Sequence, residues 1–156
     1  MTDHEYMQMA VEKAREGIAA GQTPFAAVIV RAGKVVAAAH NTVWRDTDPT
    51  AHAEVNAIRQ AARALGGIDL AGCEMFTTCE PCPMCLSAIH WSKIGRVVYG
   101  ATIADAAQAG FSELLVGAAK LAEMSGSPLR VEALPACDDC RALFALWRQA
   151  GKSATY

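Results

Sequence analysis

Met75-Phe76-Thr77-Thr78-Cys79-Glu80-Pro81-Cys82-Pro83-Met84-Cys85 passes from a strand-like run into a cysteine pair that opens a helix. Met75 to Cys79 reads as a strand, Pro83 to Ser92 as a short helix and Arg96 to Ala101 as another strand. Upstream, about Glu5 to Ala20 sets Met9, Ala10, Ala14 and Ile18 at helical spacing, with Gly21 as a stop. Phe25 to Arg31 is rich in Val and Ile, and a turn at Ala32-Gly33 leads to Val35–Ala39, which makes a hairpin. Asp48-Pro49 predicts a helix opening that runs to about Leu65 and stops at Gly66-Gly67. Downstream come a helix around Glu113–Glu123, a short strand near Leu129–Leu134 and a helix from about Asp138 to Gln149. Strands alternating with helices imply an α/β layered domain, and 156 residues without repeat or linker fit a single one.

The cysteine pair has a counterpart in His52-Ala53-Glu54. One imidazole and two thiolates suit a tetrahedral zinc, and three protein ligands leave its fourth position open. Cys82 and Cys85, three apart at a helix start, share a face and can reach one ion. Glu54, two residues after His52, falls on a different face, which fits one ligand and one non-ligand. Its carboxylate can move protons beside the open position. The residue types and spacing predict His52, Cys82 and Cys85 as metal ligands and Glu54 as acid/base of a hydrolytic enzyme, and the H-x-E followed by P-C-x-x-C resembles the motif of zinc-dependent nucleobase deaminases. Partial positive charge at the helix starts would favour thiolate and steady an activated water.

Composition narrows the field. Hydrophobic residues make up 53% and charged ones 19%, which excludes a disordered polar chain. Apolar residues never run long enough to cross a bilayer, and Met1-Thr-Asp-His-Glu-Tyr6 lacks the pattern of a signal peptide, so the expected compartment is the reducing cytosol. Fourteen basic against sixteen acidic residues, with no cationic cluster, argues against a general nucleic-acid binder and for a small neutral substrate.

A competing reading uses the second C-x-x-C. Cys137 and Cys140 could join Cys82 and Cys85 in a four-Cys structural zinc site, making the protein a binding module, but this leaves His52 and Glu54 without a role. Cys73 and Cys79 read as small core residues. Trp91, one short helix beyond the ligands, is a candidate pocket residue. Asn41, at the end of the second strand, can both donate to and accept from a ring edge.

A longer stretch resembles the cytidine deaminase-like superfamily. Asp48-Pro49-Thr50-Ala51-His52-Ala53-Glu54 and Thr78-Cys79-Glu80-Pro81-Cys82-Pro83-Met84-Cys85 look like both guanine deaminases and tRNA adenosine deaminases. Thr23-Pro24-Phe25-Ala26-Ala27-Val28, Ala88-Ile89-His90-Trp91, Asp105 to Phe111 and Ala145-Leu146-Trp147-Arg148 leading to Tyr156 resemble the guanine deaminase branch. The likeness fades across about 116–139. It implies a three-layer α/β/α sandwich around a mixed five-stranded sheet, and a homodimer whose C-terminal segment, about 138–156, crosses to a partner's site. It also implies one zinc per chain on His52, Cys82 and Cys85, with Glu54 as proton shuttle. Phe25 and Asn41 would contact a purine, and Trp91 and Tyr156 would close the pocket. Where guanine deaminases tend to carry an acidic pair after Gly-Phe, this chain has Ser112-Glu113, making Glu113 the substrate-facing acid on a longer stem. The implied reaction is guanine to xanthine and ammonia. The alternatives are a tRNA adenosine deaminase and a deaminase of a related aminated pyrimidine or triazine.

Overall fold

The computed structural model describes residues 1–135 and 137–156. The chain runs α1 (Asp3–Ala19), β1 (Ala26–Arg31), β2 (Lys34–His40), α2 (Val43–Asp46), α3 (Ala53–Leu65), β3 (Cys73–Cys79), α4 (Pro83–Trp91), β4 (Arg96–Ala101), α5 (Ile103–Gln108), α6 (Ala118–Met124), β5 (Arg130–Ala133) and α7 (Asp138–Ala150). The sheet order is β2-β1-β3-β4-β5. β1 pairs antiparallel with β2 and β3, whereas β3–β4 and β4–β5 are parallel, so the expected mixed five-stranded sheet is present.

Alternation along each strand feeds two cores. Val28 and Val30 of β1, with Phe76 and Val98, pack against Met7, Val11 and Ile18 of α1 and Leu143 and Trp147 of α7. Ala27 and Ile29 point the other way, joining Met75 and Val97 under Ala57 and Ala61 of α3, Leu86 and Ile89 of α4 and Ala122 of α6. Helices therefore cover both faces of the mixed sheet. Cys73 and Cys79 are buried in these cores, as expected. Among the described residues, no helix is long and apolar enough to cross a membrane.

Two helix starts differ from the sequence reading. α3 begins at Ala53 with His52 as its N-cap, not at Asp48-Pro49. Asp48 spends its carboxylate on a turn instead, accepting from Thr50 N at 2.8 Å and Thr50 Oγ1 at 2.7 Å. α6 begins at Ala118 rather than Glu113, because the preceding backbone is engaged elsewhere: Ser112 N donates to the Tyr156 carbonyl at 3.0 Å and Glu113 N to Phe111 O at 2.9 Å. The short helices α2 and α5 were not anticipated, although Thr102 and Asp105 form a capping box at the start of α5.

Gly100 on β4 sets how closely α7 approaches. A Cβ there would fall 2.2 Å from Cys140 Sγ and 3.0 Å from Cys137 Sγ, so only glycine admits the cysteine pair. Both thiols are buried in the α1–α7 layer.

Candidate metal centre and active site

Two helices begin at the same point in space. His52 caps α3 and Cys82 caps α4, each extended in backbone and each making no side-chain capping bond of its own. Side chains normally spent on the first turn are thus free to point at each other. Pro83 at the first position of α4 pre-sets its entry, and Cys85 follows one turn on.

His52 Nδ1 lies 3.7 Å from Cys82 Sγ and 3.5 Å from Cys85 Sγ. Tetrahedral zinc, with Zn–S ~2.3 Å and Zn–N ~2.0–2.1 Å, calls for an S···N separation of about 3.6 Å. The three ligand atoms fit the ion. They are the one group of three or more His, Cys, Asp or Glu among the described residues that could hold a metal. Cys137 and Cys140 stand outside it, across the sheet beside Gly100, so the four-Cys module is not formed.

Electrostatics prepare the sulfurs unequally. Cys82 is brought down to about 4 by the hydrogen bond from Cys85, assisted by His52, and is a thiolate at neutral pH. Cys85, donor in that bond and buried, is pushed far up and keeps its proton until an ion displaces it.

Glu54, on the first turn of α3, is buried beside the ligands. Burial, reinforced by the Cys82 thiolate, pushes its carboxyl up to about 7. A carboxyl poised near neutrality can both accept and return a proton at working pH.

The cavity next to Glu54 is small, about 30 Å³. Phe25, Asn41, Phe111, Glu113 and Tyr156 line it, together with Glu54, His52 and Cys82. Phe25 meets Phe111 edge to face at 4.9 Å, and Phe111 meets Tyr156 at 5.5 Å. Asn41 is fully buried; its Oδ1 accepts from Val43 N at 3.0 Å and its Nδ2 donates to the Tyr156 phenol at 2.6 Å. Glu113 is half-buried and raised from its ordinary value by that burial and by the Cys82 charge. The tail is strapped over the site by Trp44 Nε1, which donates to Ala154 O at 2.9 Å, and by the Ser112–Tyr156 backbone bond. In this single chain it lies over the chain's own pocket.

Every predicted site residue but one converges here. Trp91 does not: it is 80% exposed and lines a groove with His90 and Leu121 between α4 and α6. Six residues beyond Cys85 is about 1.7 helical turns, which carries the indole ~120° round from the ligand face. The sequence reading passed over Phe111 and Glu80 as site residues. Phe111 was visible only as part of a motif, and Glu80 as a charge placed between an apolar strand and a proline.

The match to other proteins follows this geometry. Residues 1–101 fit the family model described as the cytidine and deoxycytidylate deaminase zinc-binding region. The chain is 47% identical over 117 residues to guanine deaminase of Bacillus subtilis, covering 74% of this chain and 75% of that protein. To the tRNA-specific adenosine deaminase of Aquifex aeolicus it is 41% identical over 96 residues, covering 62% and 64%. Among solved structures, guanine deaminase from Nitrosomonas europaea superimposes with a TM-score of 0.84 at 30% identity, over 92% of this chain and 83% of that one. With His52, Cys82 and Cys85 all inside the matched region, the chain belongs to the cytidine and deoxycytidylate deaminase zinc-binding family.

Proposed function

We propose that the protein is a zinc-dependent aminohydrolase that converts free guanine to xanthine and ammonia. The observation that carries this reading is the 47% identity to Bacillus subtilis guanine deaminase, which spans three quarters of both chains. The roof supports it: a short tail carrying Tyr156 can lift for a small flat base and close again over it beside Phe111, whereas a polynucleotide would hold it open.

His52, Cys82 and Cys85 hold the zinc. When bound, zinc supplies Lewis acidity that activates water near neutral pH. Glu54 takes a proton from the attacking water and delivers it to a ring nitrogen, then takes the second proton from the newly attached hydroxyl and passes it to the amine, which departs as ammonia while the carbon becomes a carbonyl. Its buried carboxyl is tuned for both directions. Asn41 presents an amide to the polar edge of the purine, Phe25 packs against its rings, and Glu113 supplies a second carboxyl. Tyr156 excludes bulk water once the tail is down.

The chain acts as a homodimer in the cytoplasm. The supporting observation is an apolar face across α4, residues 114–116 and α6, where Met84, Trp91, Leu114, Leu115, Val116 and Met124 are all exposed. Such a face on a small chain marks a contact surface, and a second copy presents the same face in return.

The competing substrate is adenosine in a tRNA anticodon, favoured by the Aquifex relative. A net charge of −2 weighs against it. Ammonia release from guanine, adenine, cytosine, cytidine, triazines and an anticodon stem-loop, compared as kcat/KM on the zinc-loaded protein, tests the assignment. Guanine is expected to lead by at least tenfold; cytosine or the stem-loop leading would overturn it.

A further inference from the structure

Glu80 is the residue before Pro81 and Cys82 and lines the same cavity as Glu54, and both its carboxylate oxygens are engaged by backbone amides. Oε2 accepts from Ile103 N at 3.0 Å and Oε1 accepts from Ala118 N at 2.7 Å. These amides are the first residues of α5 and α6. The first four N–H groups of a helix have no partner within it, and one buried near an active site must find one. At α5 the Thr102–Asp105 capping box serves other donors and leaves Ile103 N to Glu80. At α6 the N-cap is Gly117, which has no side chain to offer.

The two amides bound one excursion of the chain. Between them run α5 and then residues 109–117, which have no regular structure and carry Phe111 and Glu113 into the pocket. Glu80 is itself fixed at the other end, since its backbone N donates to Ala101 O at 2.8 Å. One carboxylate thus ties both ends of the ring-contacting segment to the loop that delivers Cys82.

We propose that Glu80 is a positioning residue: by accepting from Ile103 N and Ala118 N it holds Phe111 and Glu113 at a set distance from the metal loop. It neither binds the ion nor moves a proton. Phe111 and Glu113 line the pocket whereas the proton is moved by Glu54, so the clasp is felt in how the ring is held. Its energetic basis is hydrogen bonding from two backbone donors to one partly buried carboxylate.

The test uses zinc-loaded Glu80→Ala and Glu80→Gln proteins. Gln keeps one acceptor oxygen and sets an NH2 group against the other amide, so it loses half of the clasp. Zinc content should stay at one per chain, and the thiolate charge-transfer band of the cobalt-substituted protein should not move. Hydrogen exchange should quicken at least tenfold across residues 109–118 in Glu80→Ala, and less in Glu80→Gln. KM should rise about tenfold or more with kcat changed far less, in the same order. The kinetic arm rests on the deaminase reading, whereas the exchange arm does not, so the two can fail separately. Loss of zinc, exchange unchanged across 109–118, or a fall in kcat at constant KM would each overturn the assignment.

Discussion

The Tyr156 phenol accepts from Asn41 Nδ2 at 2.6 Å across 115 residues of sequence. Asn41 is the buried amide best placed to read a ring edge, and in this state the tail occupies its donor. The remaining 30 Å³ holds a water or two and no purine. On the far side of Tyr156 lies a second cavity of about 180 Å³, which shares His52, Cys82, Phe111 and Glu113 with the first. Tyr156 lines both cavities and stands between them, so lifting the tail would join them.

Deletion of residues 153–156 should join the two cavities and cut kcat/KM about 10- to 100-fold through lost closure, with zinc retained. An unchanged rate would count against the lid. Mixing this truncated chain with Glu54→Gln chains tells whether the lid serves its own site. The geometry here predicts activity at the sum of the two parents, whereas recovery above it would show that subunits exchange tails, as the guanine deaminase resemblance implies.

Elemental analysis separates the two C-x-x-C motifs. Cys82→Ala should lose its zinc, because the remaining His52 and Cys85 make a two-ligand site. Cys137→Ala should retain one zinc per chain, its thiol being packed beside Gly100.

Glu54→Gln should keep both fold and zinc while kcat drops by ~10²–10⁴-fold, the range that positioned proton transfer supplies. The amide matches the carboxyl in shape and cannot exchange a proton. A folded, metal-free variant would reassign Glu54 to the ion.

Stability should fall off in acid through Arg96. Its guanidinium, 15% exposed, donates to Asp3 at 2.6 Å, Glu132 at 2.7 Å and Glu74 at 2.8 Å, and lies 5.9 Å over the Phe76 ring. Hydrogen bonds from Arg96 hold Asp3 and Glu132 below the ordinary carboxylate range. Groups with depressed folded pKa values stabilise at neutral pH, and this contribution is lost as pH falls below ~4. Arg96→Met should cost ~1–3 kcal/mol at pH 7. In thermal melts the gap to the parent protein should narrow toward pH 3. A gap independent of pH would mean that Arg96 acts by packing alone.

The sequence made the metal centre legible because its chemistry is local: two cysteines one turn apart, and a histidine two residues from an acid. β3, α4 and β4 were equally plain, since Pro83 and the apolar runs mark their own boundaries. Boundaries went astray where a side chain or backbone found a distant partner. Asp48 turned onto Thr50, and the amide of Ser112 went to Tyr156, 44 residues on by number. Glu80 escaped notice for the same reason, its partners lying 23 and 38 positions away. Trp91 was singled out for nearness in sequence to the ligands, and helical phase sets it apart from this chain's own pocket. The Asn41–Tyr156 contact had no local signature, and only resemblance brought the two residues to the same site.

The ligand set has a bearing on folding as well as on chemistry. His52 and Cys82 are 30 residues apart, and an ion held between them closes that length of chain as a disulfide would. On the chain-entropy account a crosslink of this span removes about 3–4 kcal/mol of freedom from the unfolded ensemble. A cofactor recruited to activate water thus doubles as a staple between the beginnings of α3 and α4. Cells starved of zinc would then lose folded protein along with turnover.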